Sequence, residues 1–421
     1  MTLLDLLDQA PDEAIAIALP EEGIQLSYRE LSLRVRNMAE TLAGAGIGRE
    51  DRVAIALRNG LPAVVSILAA STVGTAAPLN PMYRREEFEF YLGDTGAKML
   101  ILPSEGAEEA QAAADNRIPV LKIAMSKDGQ VDLDVTDPPA VISKASADDI
   151  ALVLHTSGST GRPKRVPLRH RNLTVSAEHI VDSYALVSRD VSLCVMPLFH
   201  IHGLVASTLA TFRSAGTVVM PTRFNPLSFW RTVRSHGVTW YSAVPTIHQL
   251  LLARAESSPE RPEGANGLRF IRSCSAPLSP NILERLEENL GTPVLEAYGM
   301  TEASHQMSSN PLPPGERKPG SVGTGTGVEI NIVGDTGETK AVGEVGEIVI
   351  RGPNVIDGYE NNLEANRSSF FGDWFRTGDQ GRVDSDGYLA LTGRLKELIN
   401  RGGEKISPRE VDEVILQHPA V

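Results

Sequence analysis

A short run of hydroxyl and glycine residues, ending in a lysine, is the segment of this sequence best suited to holding a phosphate. It follows an apolar run at 150–154 and reads Thr156-Ser157-Gly158-Ser159-Thr160-Gly161-Arg162-Pro163-Lys164. Glycines let the backbone turn its N–H groups towards an anion, hydroxyls add donors, and a lysine adds charge. It is not a Walker A loop, because Pro163 precedes the lysine and no serine or threonine follows it. Such runs are usually only loops, but this order of residues is far more specific.

A second segment combines an aromatic ring, a hydroxyl and carboxylates. It is the run Glu296-Ala297-Tyr298-Gly299-Met300-Thr301-Glu302. Tyr298 could stack on a purine, the Thr301 hydroxyl could bond a phosphate oxygen, and Glu302 could hold a magnesium ion. Taken alone, the run would more often be a strand-to-helix turn with a capping threonine.

Two later segments place charged groups beside glycine turns. In the run 374–379, Asp379 could accept hydrogen bonds from both hydroxyls of a ribose, although an aspartate in a β-turn is the simpler interpretation. The run 393–405 contains Arg394 and Lys396 and could equally be a charged surface helix that leads to a glycine loop.

Alternating strand and helix patterns must position these segments. Apolar runs at 52–57, 98–102 and 150–154, separated by helical spacing, indicate βαβ units and a mostly parallel sheet. Between them, 103–149 is polar, and we expect surface excursions around one strand at 120–123. A second alternating set follows, with strands at 192–195, 217–220, 239–241, 270–271 and 294–295. Beyond Gly320, short runs at 329–333, 346–351 and 388–391 predict a small antiparallel sheet or barrel.

Composition excludes several classes of protein. The 421 residues are enough for two or more compact units. With 53 acidic against 40 basic residues, the net charge of −13 opposes non-specific nucleic-acid binding.

The sequence also favours a reducing, cytoplasmic location without a signal peptide. It has two cysteines, Cys194 and Cys274, and its N-terminus has an early acid and no basic run. The uncharged stretch 61–79 contains two prolines, and we interpret it as a buried helix leading to a strand, not a membrane span.

Taken together, in this order and spacing, the four segments resemble the adenylate-forming superfamily, which includes acyl-CoA synthetases, firefly luciferase and the adenylation domains of peptide synthetases. The resemblance covers the whole chain, including 28–31 and 76–81. It implies that a carboxylate attacks the α-phosphate of ATP to give acyl-AMP and pyrophosphate, and that the thiol of coenzyme A then displaces AMP. The implied partners are a small carboxylic acid, ATP, Mg²⁺ and coenzyme A, without nucleic acid or a membrane span. The oligomeric state stays open.

The resemblance also assigns roles to residues. Residues 156–164 are similar to the loop that holds the β- and γ-phosphates, and Tyr298 would lie on adenine. Thr301 would lie near the α-phosphate, Glu302 at magnesium, Asp379 on the ribose with Arg394 beside it, and Lys396 at the hinge. The implied catalytic residues are Thr301, Glu302 and His200. The remaining implied nucleotide contacts are Ser275, Ala276, Pro277, Glu296, Ala297 and Gly299.

The implied fold is α/β. A large N-terminal domain of doubly wound mixed sheets plus a small β-barrel would span 1–393, and 394–421 would be the hinge and the beginning of a small α+β C-terminal domain. Family members continue to a Gly-Lys near their end, whose lysine bridges carboxylate and phosphate. We therefore expect a truncated or omitted C-terminal domain, which would also carry any peroxisomal signal.

The acid pocket implied by the resemblance has a polar lining: His200, His202, Ser275 and His305. His200 follows Phe199 where peptide synthetases carry an aspartate, which argues against an α-amino acid. One serine and three histidines suit a short acid with a second carboxylate. The runs 239–249, 272–275, 301–305, 308–312 and 398–408 resemble oxalate–CoA ligases, although Gly299 stands where alanine is expected.

Other interpretations remain open at this stage. His200 could gate the coenzyme A tunnel, His202 could be a packed core histidine, and Cys274 is more simply structural than nucleophilic. Within the same fold, a medium-chain fatty or aromatic (coumarate-like) acid–CoA ligase is the alternative to oxalate. From another class, the chain could be a nucleotide-binding fragment without turnover.

Overall fold

The computed structural model describes residues 1–115, 117–156, 163–258, 260–397, 399–401 and 404–406, with the single positions 408, 411 and 415. Its strands are β1 Ile15–Leu19, β2 Ile24–Ser27, β3 Arg52–Ile55, β4 Thr75–Pro78, β5 Met99–Pro103, β6 Val120–Met125, β7 Val131–Leu133, β8 Ile150–Thr156, β9 Lys164–Arg169, β10 Val191–Leu193, β11 Thr217–Val219, β12 Trp240–Ala243, β13 Phe270–Ser273, β14 Val294–Met300, β15 His305–Ser309, β16 Thr324–Gly325, β17 Glu329–Val333, β18 Gly346–Arg351, β19 Phe370–Phe371, β20 Trp374–Val383, β21 Leu389–Arg394, β22 Ile399–Arg401 and β23 Glu404–Ile406.

The α-helices lie between these strands. They are α1 Asp5–Asp8, α2 Tyr28–Gly44, α3 Leu61–Val73, α4 Arg85–Thr95, α5 Glu108–Ala114, α6 His170–Tyr184, α7 Ala210–Arg213, α8 Phe229–Ser235, α9 Pro245–Glu256, α10 Pro280–Leu290 and α11 Leu363–Ser369. A π-helix spans His202–Leu209, and single 3₁₀ turns span Ala265–Gly267 and Thr301–Ala303.

Two large mixed sheets account for the first 325 residues. Over the described residues, one has seven strands in the order β7-β6-β5-β3-β4-β8-β9, and the other has nine in the order β16-β15-β14-β13-β12-β10-β11-β1-β2. Their central strands are parallel, and antiparallel strands close the ends. The predicted α/β class with mixed sheets is confirmed.

Local sequence explains how two of the helices form. Ser27 and Glu30 make a reciprocal capping box at the start of α2: the Ser27 hydroxyl accepts from the Glu30 N–H, and the Glu30 carboxylate accepts from the Ser27 N–H. Helix α3 has 13 residues and is buried along almost its whole length, as expected of the uncharged stretch. At 1.5 Å per residue, roughly 20 Å of helix is too short to cross a bilayer. Among the described residues, no helix combines the length and hydropathy of a membrane span.

The segment after Gly327 forms a third, antiparallel sheet. Strands β17, β18, β20 and β19 pair in that order, and β21 pairs with β20. This five-stranded half-barrel is the small sheet that the sequence predicts. Its importance for the site lies in the β20–β21 pairing, which sets Asp379 directly opposite Arg394.

The segment 103–149 has more structure than the single strand that the sequence suggests. Helix α5 follows β5, and β7 pairs antiparallel with β6 at the sheet edge. Helix α5 buries three alanines, which give little helical contrast in hydropathy, and β7 has three residues, too few to show an alternation.

Candidate functional site

One group of predicted site residues gathers around Glu302, in the 3₁₀ turn after β14. Glu302 is buried, with 5% of its surface exposed. Its Oε1 accepts from the Thr156 hydroxyl at 3.2 Å and from the Tyr359 hydroxyl at 2.8 Å. The Lys164 ammonium lies 4.4 Å from the centre of the Tyr359 ring. Thr156 and Lys164 face each other across the β8–β9 hairpin, so both ends of the predicted phosphate loop lie beside this carboxylate.

Ser157, Gly158, Ser159, Thr160 and Gly161 lie outside the described residues. Their predicted phosphate contacts therefore stay predictions.

The surroundings of Glu302 fit a magnesium ion held together with phosphates. Both hydrogen bonds that the described residues make to this carboxylate end on Oε1, and none of them ends on Oε2. No group of three or more His, Cys, Asp or Glu side chains suited to a metal occurs in the described part of the chain. Mg²⁺ in nucleotide sites needs only one or two carboxylates, with substrate phosphates and waters as its other ligands. Partial burial lowers the pKa of Lys164, and the charge of Glu302 opposes that shift.

A second group joins Tyr298, Asp379 and Arg394. The Tyr298 hydroxyl donates to Asp379 Oδ2, and Arg394 Nε lies 3.1 Å from Asp379 Oδ1. Burial raises the pKa of Tyr298 well above its usual range and the Asp379 carboxylate raises it further, so Tyr298 keeps its proton. Burial also raises the pKa of Asp379, and the bonds to Tyr298 and Arg394 oppose that shift. The structure therefore brings together three residues that lie far apart in the sequence.

The other predicted nucleotide contacts line the ends of neighbouring strands. Ser275, Ala276 and Pro277 are exposed after β13. Glu296 and Ala297 are buried in β14, where the Glu296 carboxylate accepts from the Gly320 N–H at 3.0 Å. Thr301 is half-buried, and Lys396 is exposed just beyond β21.

Three of the four residues predicted for the acid pocket form one cluster. His202, at the start of the π-helix, lies 2.9 Å from the Ser275 hydroxyl through Nδ1 and 2.7 Å from the Ser242 hydroxyl through Nε2. The rings of His202 and His305 meet edge to face at 5.2 Å. His200 is exposed, and its ring packs on Phe199; no hydrogen bond joins it to the cluster within the described part of the chain.

His305 is the unusual member of this cluster. It is only 2% exposed, yet neither ring nitrogen has a hydrogen-bond partner among the described residues. Burial, with the nearby charge of Arg272, holds its pKa well below the usual range. Its φ is +118°, and that of Ser275 is +74°. Such angles are costly for residues with a side chain and are concentrated at functional sites.

Gly299 makes room for His305. A Cβ atom at Gly299 would lie 2.0 Å from the His305 carbonyl oxygen and 2.5 Å from Nδ1. Glycine at position 299, where alanine is expected, therefore affects the position of the His305 imidazole.

Sequence reasoning missed three residues of the site. Tyr359 bonds Glu302, while Ser242 and Arg272 lie directly behind His202. The available signal for Arg272 was an arginine directly after the apolar pair 270–271 of a predicted central strand, since a lone charge there needs an explanation. Cys194 and Cys274 are both buried, in keeping with a structural role.

Comparison with known proteins gives consistent results. Residues 6–360 match the family described as AMP-binding enzyme. The chain is 49% identical to an oxalate–CoA ligase of Arabidopsis thaliana, over 92% of this chain and 77% of that protein. It is 42% identical to an oxalate–CoA ligase of Saccharomyces cerevisiae, over 97% of this chain and 81% of that protein. Bacillus subtilis o-succinylbenzoate coenzyme A synthetase in complex with ATP and magnesium superposes with a TM-score of 0.86 at 31% identity, over 100% of this chain and 85% of that one.

Proposed function

Because this chain belongs to the AMP-binding enzyme family, as an AMP-forming acid–CoA ligase that uses ATP, Mg²⁺ and coenzyme A, we propose that the acid it activates is oxalate. One oxalate oxygen attacks the α-phosphorus of ATP, the bond to the β-phosphate oxygen breaks, and pyrophosphate leaves. The thiolate of coenzyme A then attacks the acyl carbon, and AMP leaves with the bonding electron pair.

One observation carries the choice of acid: the buried imidazole of His305 has no hydrogen-bond partner among the described residues and packs on His202, which bonds Ser275. Oxalate activated at one end keeps a second carboxylate at the other. That carboxylate needs hydrogen-bond donors in a buried site, and an alkyl chain would leave those donors unsatisfied. The names of the two oxalate–CoA ligases at 49% and 42% identity support the same substrate.

The nucleotide assignments form part of the proposal. Tyr298 would flank the adenine, Asp379 would accept from the ribose hydroxyls with Arg394 beside it, and Thr301 would contact the α-phosphate. Glu302 and residues 156–164 would hold magnesium and the outer phosphates. When bound, the metal neutralises charge on the phosphates, and fixed donors around the α-phosphoryl group stabilise the transition state.

The remaining proposals concern His200, Lys396 and the location of the protein. We assign His200 to the reacting end of the acid and Lys396 to a hinge between residues 1–393 and 394–421. We also propose a cytoplasmic location, which rests on the two cysteines and the N-terminal residues alone, with a peroxisomal location as the alternative.

A panel of carboxylic acids tests the proposal. The complete gene product that carries this chain is assayed for acid-dependent pyrophosphate release with oxalate, acetate, propionate, octanoate and coumarate. We expect oxalate to give the highest kcat/KM. Faster release with octanoate or coumarate would refute oxalate and favour a long or apolar pocket, and no release with any acid would favour nucleotide binding without turnover.

A further inference from the structure

A buried arginine with neutral hydrogen-bond partners lies behind the acid cluster. Arg272, in β13, has 0% of its surface exposed. Its guanidinium donates from Nε to the Tyr184 hydroxyl at 2.9 Å, from Nη1 to the Ser242 hydroxyl at 2.9 Å and from Nη2 to Gln306 Oε1 at 3.0 Å. Within the described part of the chain, none of the ion pairs involves Arg272. A buried cation without a counter-ion is costly, so an anion that completes the site would bind strongly.

The Arg272 guanidinium is connected to Ser275 through two intervening side chains. Ser242, which pairs with Arg272 across β12 and β13, bonds His202 Nε2 at 2.7 Å, and His202 Nδ1 bonds Ser275 at 2.9 Å. Ser275 is the exposed end of this chain of bonds, and Arg272 is the buried end.

The chemistry of these groups determines which atom donates in each hydrogen bond between Arg272 and Ser275. A guanidinium can only donate, so the Ser242 oxygen accepts from Arg272. His202 Nε2 is the other hydrogen-bond partner of this buried hydroxyl among the described residues, so the Ser242 proton is satisfied there only when it is donated to Nε2. Burial holds the pKa of His202 well below its usual range, and the nearby His305 and Arg272 side chains oppose a charge there as well, so the ring is neutral. A neutral imidazole that accepts at Nε2 carries its proton at Nδ1 and donates it to the Ser275 oxygen. The Ser275 hydroxyl proton is then free to point outwards.

We propose that Arg272 is a positioning and specificity residue, which orients the Ser242–His202–Ser275 chain so that Ser275 donates to the far carboxylate of a dianionic acid. This inference rests on the proposed function, because it assumes that Ser275 faces the acid. Arg272 acts in two ways: it fixes the direction of the donors, and its uncompensated charge favours an acid whose far end is anionic over one whose far end is neutral.

Oxamate is the natural probe, because it has nearly the shape of oxalate but a neutral amide in place of one carboxylate. Binding of both anions is measured on this chain by calorimetry, with saturating α,β-methylene-ATP, which cannot release pyrophosphate. For the parent chain we expect oxalate to bind about 10- to 100-fold more tightly than oxamate, the range for one hydrogen bond to a charged group.

Four variants separate the two contributions of Arg272. Ser242→Ala keeps the charge but removes the link to His202, and we expect the preference for oxalate to fall by about tenfold. Arg272→Met removes both contributions, so the two anions should bind almost equally, and Arg272→Lys should restore part of the preference. Tyr184→Phe is the matched control, because it removes another hydroxyl bonded to Arg272 but leaves the Ser242–His202–Ser275 hydrogen bonds intact. The preference for oxalate over oxamate should therefore stay within about twofold of that of the parent protein.

The outcomes distinguish the inference from the proposed function. If the parent chain binds neither anion, or prefers oxamate, the oxalate proposal fails. If the parent chain prefers oxalate and both Ser242→Ala and Arg272→Met keep the same preference, only the role of Arg272 is overturned. Should Arg272→Met give no folded protein, the pair Ser242→Ala and Tyr184→Phe decides the question, with thermal unfolding as the check on folding.

Discussion

The two ends of the site differ in how their polar groups are satisfied. At the nucleotide end, charged groups already have partners: Asp379 bonds Tyr298 and Arg394, and Glu302 accepts from two hydroxyls. At the acid end, neutral hydroxyls and imidazoles surround a buried guanidinium, and the nitrogens of His305 have no partner among the described residues. This contrast suggests that the nucleotide end is largely formed without ligand, whereas the acid end is completed by an anion.

The largest expected effect tests the nucleotide end. Glu302→Gln keeps the shape of the side chain and the bonds at Oε1 but removes the negative charge offered to magnesium. We expect the rate of oxalate-dependent pyrophosphate release by the complete gene product to fall by about 10²- to 10³-fold, as for loss of one fixed transition-state contact. Glu338→Gln, which changes a surface carboxylate paired with Lys340, is the control and should leave the rate unchanged. An undiminished rate in Glu302→Gln would remove the metal assignment.

The next effect belongs to the acid end. His305→Ala removes the buried imidazole that has no hydrogen-bond partner within the described part of the chain. We expect kcat/KM for oxalate to fall by about 100-fold, the upper range for a hydrogen bond to a charged group. The KM for ATP should change little, because His305 lies outside the nucleotide group. His236→Ala, whose ring bonds Ser235 and Thr232 next to α8, is the matched control. Equal losses for oxalate and ATP would mean that the two ends are not separable.

A smaller effect is expected for the ribose contact. Asp379→Ala removes the acceptor proposed for the ribose hydroxyls, and we expect AMP to bind this chain about 10- to 50-fold more weakly by calorimetry. Asp384→Ala, at a surface carboxylate paired with Lys318, controls for the loss of a charge. Unchanged AMP affinity in Asp379→Ala would contradict the ribose assignment.

The smallest effect is expected at Gly299, which makes room for the backbone and ring of His305. Gly299→Ala would bring a Cβ within 2.0 Å of the His305 carbonyl oxygen, so this backbone and its imidazole must move. We expect oxalate affinity to fall by about tenfold, since a misplaced donor loses a bond of about 1 kcal/mol or slightly more. AMP affinity should change less. A variant that bound oxalate as tightly as the parent would show that the exact position of His305 is unimportant.

The sequence indicated the residues that gather around Glu302 and Asp379 better than it indicated the hydrogen bonds behind His202. The strands at 150–154 and 294–295 are visible as apolar runs, and the segments that follow them carry recognisable residue types in a fixed order. The hydrogen bonds of Arg272 could not be predicted in this way, because Tyr184, Ser242 and Gln306 reach it from three different elements. Contacts between distant elements depend on sheet order and side-chain direction, which hydropathy patterns do not encode. For the same reason Tyr359 was missed, although a buried tyrosine needs a hydrogen-bond partner.

The most direct test of the central claim is a competition in one reaction. The complete gene product is given ATP, Mg²⁺ and coenzyme A with equal concentrations of oxalate and propionate, and the two CoA thioesters are quantified by mass spectrometry, so that their ratio reports the ratio of kcat/KM. Sites built to hydrogen-bond a substrate group reject analogues that lack it by about 10⁴-fold or more. We predict that oxalyl-CoA exceeds propionyl-CoA by at least about 100-fold. Comparable amounts of the two thioesters, or an excess of propionyl-CoA, would contradict the claim that the acid end recognises a second carboxylate.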